Sequence, residues 1–133
     1  MNSKPTLIAT FLLLFSWMPI FAQNAPLAFV AKEGIYKWVK DSSYPGAEIR
    51  EYKHNGKSLL VVVRNMSTDS FSSEVWAFVY DLHEGWTEAL RVQRLQGVRP
   101  SLKQDGDLIH ITNAPSGPEI LTISISQIQA ASF

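Results

Sequence analysis

The stretch Glu48-Ile49-Arg50-Glu51-Tyr52-Lys53-His54-Asn55-Gly56-Lys57-Ser58-Leu59-Leu60-Val61-Val62-Val63-Arg64 decides the class of fold. Two strand-like runs flank His54-Asn55-Gly56-Lys57, and an Asn-Gly pair supplies the positive φ angles that a two-residue hairpin turn demands. After the turn, residues 59–63 are apolar at every position, so that strand has something covering each face. Residues 75–80 form a second such run, with Trp76, Phe78 and Tyr80 opposing Val75, Ala77 and Val79. Leu121, Ile123 and Ile125 instead alternate with Thr122, Ser124 and Ser126, which gives one wet face. The chain reads as all-β, with an interior first half and a more peripheral second half.

Outward from the hairpin, the same punctuation occurs twice. Glu33-Gly34 recurs as Glu84-Gly85, Gly46 as Gly97, Asn55-Gly56 as Asp105-Gly106, and Glu74-Val75 as Glu119-Ile120. A unit repeated at a spacing of about fifty residues marks stacked or radially arranged β modules. The expectation is two four-stranded antiparallel meanders, covering about 33–83 and 84–133. The first holds strands at 35–40, 48–53, 58–64 and 74–82. The second holds strands at 86–95, 98–103, 108–112 and 119–127. Leu27, Val30, Ala31, Ile35 and Trp38 also fit a helical stripe. Alignment of 34–39 with 85–90 nevertheless favours a strand, leaving 26–32 as an arm or short helix. Pro100 lacks a donor and places its strand at the periphery or delays its start.

The second copy carries a resemblance. Gly85-Trp86-Thr87-Glu88, then Val98-Arg99-Pro100-Ser101-Leu102, then Asp105-Gly106-Asp107-Leu108-Ile109-His110-Ile111 resembles a blade of the sialidase-type and lectin-type β-propellers. The first copy departs from that pattern, with Ile35 in place of the Trp and Ile49 where Pro100 would stand. The resemblance implies a four-stranded blade, not an activity. Two blades cannot close a ring. The layout is similar to small bacterial lectins whose two-blade chains trimerise into a six-bladed propeller and bind sugar between blades. The alternative is a monomeric eight-stranded sandwich or barrel, which removes open edges without partners.

The first 22 residues read as an export signal rather than as part of the fold. Lys4 gives a positive start, residues 7–21 are apolar apart from Thr10, Ser16 and the breaking Pro19, and Ala22 offers a small residue for cleavage. That core falls short of the ~20 residues of a comfortable membrane span. The expected product is a single domain over 23–133 without a span, in a Gram-negative-like periplasm or outside the cell. Loss of Lys4 leaves the twelve basic residues one short of the twelve acidic ones, so nothing points to nucleic acid or an anionic membrane. With no cysteine, thiol chemistry, disulfides and a lipid-modified amino terminus are excluded. No metal or cofactor site is expected. His54, His83 and His110 lie at no ligand spacing, and Asp105-Gly106-Asp107 lacks the remaining oxygen ligands of a calcium loop.

Aromatic residues are the stronger functional lead. Sugar rings stack on flat aromatic faces while Arg, Asp and Glu bond their hydroxyls, so Trp38, Tyr44, Arg50, Trp86 and Arg99 are the candidate ligand contacts. On this reading the chain is a carbohydrate-binding module of the cell envelope. A second reading is a protein-interaction factor, an inhibitor or envelope-assembly subunit, that uses Phe71 at the tip of the polar loop 65–73. A third places glycoside hydrolysis on Glu84 and Glu88, which bracket Trp86.

Overall fold

The computed structural model describes residues 25–42, 44–67, 72–114 and 117–131, without the side chains of Tyr44 and Pro45. The export-signal segment and Phe71 lie outside the described residues. Strands dominate: β1 (Ala28–Phe29), helix α1 (Lys32–Ser42), β2 (Tyr44–His54), β3 (Lys57–Asn65), β4 (Ser72–Asp81), β5 (Gly85–Gln96), β6 (Pro100–Asp105), β7 (Leu108–Asn113) and β8 (Glu119–Ser124). They form two antiparallel sheets, one ordered β1-β5-β4-β3-β2 and the other β6-β7-β8. Among the described residues no helix is long and apolar enough to cross a membrane.

Two expectations are corrected. The strand at 35–40 is a helix, and the strands divide five and three instead of four and four. Ile35 and Val39 stand one turn apart and are buried against the sheet, with Trp38 half-buried beside them. Glu33 in the first turn and Lys40 in the last complement the helix dipole, and Lys37 pairs with Asp41 at 2.8 Å. Helical spacing therefore prevails over the alignment with 85–90. The two glycines that suggested equivalence have different jobs. Gly85 turns the chain at φ +81°, whereas Gly34 sits in the first helical turn and lets Phe29 approach. β5 joins the first sheet because a tight turn returns it along the whole of β4, from Asp81↔Gly85 to Ser72↔Gln96.

The five-stranded sheet is the middle layer. One face presents Leu60, Val62, Trp76, Phe78 and Trp86 to Ile35 and Val39 of α1. The other presents Leu59, Val61, Val63, Val75, Ala77 and Val79 to Ile109, Ile111, Ile123 and Ile125 of the three-stranded layer. Burial on both faces of β3 and β4 agrees with their unbroken apolar runs. Tyr80 departs from this, since it projects from the end of β4. Pro100 opens β6, which pairs only with β7 and so lies at an edge.

Tyr52 puts a hydroxyl into the sheet–sheet core, and its Oη has no hydrogen-bond partner among the described residues. Burial pushes that phenol above its usual range. An unpaired buried hydroxyl keeps its desolvation cost, so Tyr52→Phe is expected to raise unfolding free energy by about 1 kcal/mol. Urea titration of both forms checks this; a loss of similar size would show that the hydroxyl is bonded.

Asp107 ties the β6–β7 turn to the end of β8. It accepts the Ser124 hydroxyl at 2.6 Å, the Ser126 amide at 2.7 Å and the Ser126 hydroxyl at 2.9 Å. The Ser124 bond above all, with the Ser126 bonds and His54, holds its carboxyl below the usual range. Glu119 is lowered too, chiefly by His110 at 2.8 Å. A carboxylate with a depressed folded-state pKa stabilises above its unfolded value near 4, and that contribution fades as pH falls through the folded value. Melting temperature is therefore expected to drop as pH falls below about 4, less steeply in Asp107→Asn, as followed by circular dichroism.

Candidate functional site

Both ends of the described residues are tied to one residue, Glu88. Glu88 of β5 is only 2% exposed. Its side chain accepts the Leu27 amide at 2.9 Å and two bonds from the Arg91 guanidinium, each 2.7 Å. Its backbone N–H donates to Leu27 O and its carbonyl accepts from Ala131 N, both at 2.8 Å. Every oxygen is engaged, so Glu88 anchors the amino-terminal arm and the carboxy-terminal tail to the sheet. Glu84 lies exposed in the preceding turn, where Asp81 Oδ1 accepts its N–H at 3.0 Å and that of His83 at 2.7 Å. Those two bonds lower the Asp81 carboxyl. Hydrolysis by the Glu84 and Glu88 pair has no support in this arrangement.

A second polar network runs under the carboxy-terminal end of α1. Arg64 lies 4.5 Å over the Trp38 ring, donates to the Ser42 carbonyl at 3.0 Å and faces Glu74 at 3.4 Å. Burial lowers its pKa and Glu74 opposes that fall. Glu74 also accepts from Trp76 Nε1 at 3.0 Å and Gln93 Nε2 at 3.1 Å, while Arg91 covers Trp76 at 4.5 Å. Cation–π contacts and an edge-on Trp38–Trp76 pair at 4.9 Å thus fasten helix to sheet. Trp38 spends its ring on this packing.

The open site lies at the other end of the same face. β2, β3, β4 and β5 extend past the amino terminus of α1, and the helix leaves their last inward-facing residues uncovered. The result is a cleft of about 400 Å³ lined by Val30, Ala31, Lys32, Glu33, Glu51, Lys53, Ser58, Tyr80 and Trp86. That volume falls within the range of small-molecule sites. Tyr80 is 45% exposed and packs 5.1 Å from the buried Trp86 ring at a tilt of 54°. Lys32 bridges to Glu51 at 2.7 Å, and that bond raises the Lys32 ammonium pKa. Lys53 and Ser58 add donors, Glu33 an acceptor.

Of the residues expected from sequence whose side chains are described, Trp86 alone lines this cleft. Arg50 is exposed on β2 and pairs with Glu48. The main chain of Arg99 bonds Asn113 Oδ1 at 3.0 Å and the Ala114 amide at 2.8 Å, which seats the β5–β6 connection on the outer layer. Tyr44 opens β2 beside Asn65. Sequence reasoning missed Tyr80, Lys32, Glu51 and Lys53. The available signal was parity: Glu51, Lys53 and Ser58 share a face with Ile49 and Leu60, while Tyr80 ends an apolar run just before a turn. No protein-family model matches this chain, nor does any curated protein or any solved structure.

Proposed function

We propose that this chain is an exported binding module that takes a sugar ring in the cleft over Tyr80. The observation that carries the reading is the half-exposed Tyr80 ring, backed by Trp86 and surrounded by Lys32, Glu51, Lys53 and Ser58. An aromatic face takes the C–H side of a pyranose, and charged side chains of both signs bond its hydroxyls. The reading of residues 1–22 as an export signal supports a site of action in the periplasm or outside the cell. The reading rests on the cleft and not on two blades closing into a ring or a trimer.

Intrinsic tryptophan fluorescence across a broad glycan panel tests it, because Trp86 sits at the cleft floor. Tyr80→Ala is expected to weaken the best ligand about tenfold or more, equivalent to about 1.4 kcal/mol, with little change in melting temperature. A silent panel, or full affinity in Tyr80→Ala, removes the reading.

A further inference from the structure

We infer that Glu51 and Lys53 read one hydroxyl of the bound sugar from both sides, Glu51 accepting its proton and Lys53 donating to its oxygen. The inference rests on the sugar-binding reading and names what selects among sugars. Glu51 Oε1 accepts from Lys32 Nζ at 2.7 Å. Its other oxygen, Oε2, accepts no hydrogen bond among the described residues and lies 3.9 Å from Lys53 Nζ. That separation is too long for a direct bond. One hydroxyl spans roughly 4–4.5 Å between two partners, through bonds of about 2.7–2.9 Å. The Lys53 side chain is 72% exposed, so the small opening required disturbs no packing.

The chemistry of the gap selects a hydroxyl. An ammonium only donates and an ionised carboxylate only accepts, whereas a hydroxyl does both. A fluorine or an ether oxygen at the same place bonds Lys53 alone. An added ammonium bonds Glu51 alone and is repelled by Lys53, and an added carboxylate meets the reverse. Lys32, the first residue of α1, holds Glu51 in place before any ligand arrives, so little side-chain freedom is lost on binding.

Strand register puts this pair within reach of the aromatic platform. Glu51 and Lys53 lie two residues apart on β2 and so share one face, and both line the cleft. Lys53 stands opposite Ser58 of β3, and Tyr80 of β4 stands opposite Trp86 of β5. Leu59↔Val79 is the rung beside Ser58 and Tyr80. A row therefore crosses the sheet from Lys53 through Ser58 and Tyr80 to Trp86. Tyr80 and Lys53 are two strand spacings apart, roughly 10 Å. A ring stacked on Tyr80 turns its edge along this row, toward Ser58 and the gap between Glu51 and Lys53.

The test takes the monosaccharide that binds best, with its deoxy, deoxyfluoro and O-methyl analogues at each ring position, and titrates them against the full chain by tryptophan fluorescence. One position is expected to lose about tenfold or more in all three analogues, as for a hydrogen bond to a charged group. Glu51→Gln and Lys53→Met are each expected to bind the unmodified sugar about as weakly as the wild type binds the deoxy analogue. Neither variant is expected to lose much more when that hydroxyl is removed. The exposed Lys53 side chain makes its variant safe for folding, whereas Glu51→Gln also releases Lys32. Lys103→Met, an exposed site on β6, is expected to keep the wild-type profile. A wild-type profile with no sensitive position overturns the inference and leaves sugar binding intact. So does a sensitive position whose loss is unchanged in both variants, because another side chain then reads it. Tighter binding of the matching uronic acid, strengthened by Glu51→Gln, also overturns it, since Lys53 then takes a carboxylate. If no sugar binds at all, the sugar-binding reading falls, and the shared hydroxyl with it.

Discussion

Glu88→Ala is expected to lower the free energy of unfolding by about 2–3 kcal/mol, since it removes charge-assisted bonds to a part-buried Arg91 and the acceptor of a backbone amide. The loss has three parts. Arg91 keeps its position over Trp76 but loses both carboxylate bonds. The Leu27 amide loses its acceptor. The arm that carries Phe29 against Trp38 and Phe78, at ring separations of 5.8 and 5.7 Å, then loosens. Urea denaturation gives the magnitude, and faster tryptic cleavage after Lys32 reports the arm. Removing Arg91 as well restores part of the loss, because coupled partners are not additive. A Glu88→Ala protein within 1 kcal/mol of the parent, with an arm still protected, would falsify the anchoring role.

Gly85→Ala is the second large effect, and Gly34→Ala is its contrast. At Gly85 a side chain meets a positive φ of +81°, a conformation that costs an L-residue about 1–2 kcal/mol. Its Cβ would also stand 2.4 Å from Phe29 O and 2.9 Å from the Val30 Cα, so backbone must move. Loss of more than about 2 kcal/mol and partial release of the arm are expected. At Gly34 the φ is helical and the nearest obstacle is Phe29 Cδ1 at 3.1 Å, the edge of a ring that can turn. Alanine gains about 0.8–1.0 kcal/mol of helix propensity there. Thermal melts of the two variants should therefore separate clearly; equal losses would contradict the different roles assigned to the two glycines.

That contrast also explains why the repeated punctuation misled. Gly56, Gly97 and Gly106 have positive φ in turns and Gly46 has it at an irregularity within β2, so their recurrence reflects local backbone demands wherever these fall. Glycine marks a backbone conformation that other residues resist; it does not record which strand comes next. The cleft was hidden for a related reason. Tyr80 looks like core by composition, and only the length of α1 leaves it uncovered. Of the other missed residues, Lys32 opens the helix that alignment with 85–90 disfavoured, and Glu51 and Lys53 lie on β2 opposite it.

By itself the sequence determined the class and the layering: unbroken apolar runs in β3 and β4 demand cover on both faces, and Asn55-Gly56 and Asp105-Gly106 demand hairpins. These are local consequences of side-chain period and of φ, available before any long-range contact forms. The tertiary structure alone decided that α1 covers one side, that β5 joins β4, and that Glu88 holds both Leu27 and Ala131. Those choices compare burial energies across segments tens of residues apart. No local pattern of Ile35, Trp38 or Glu88 contains that comparison.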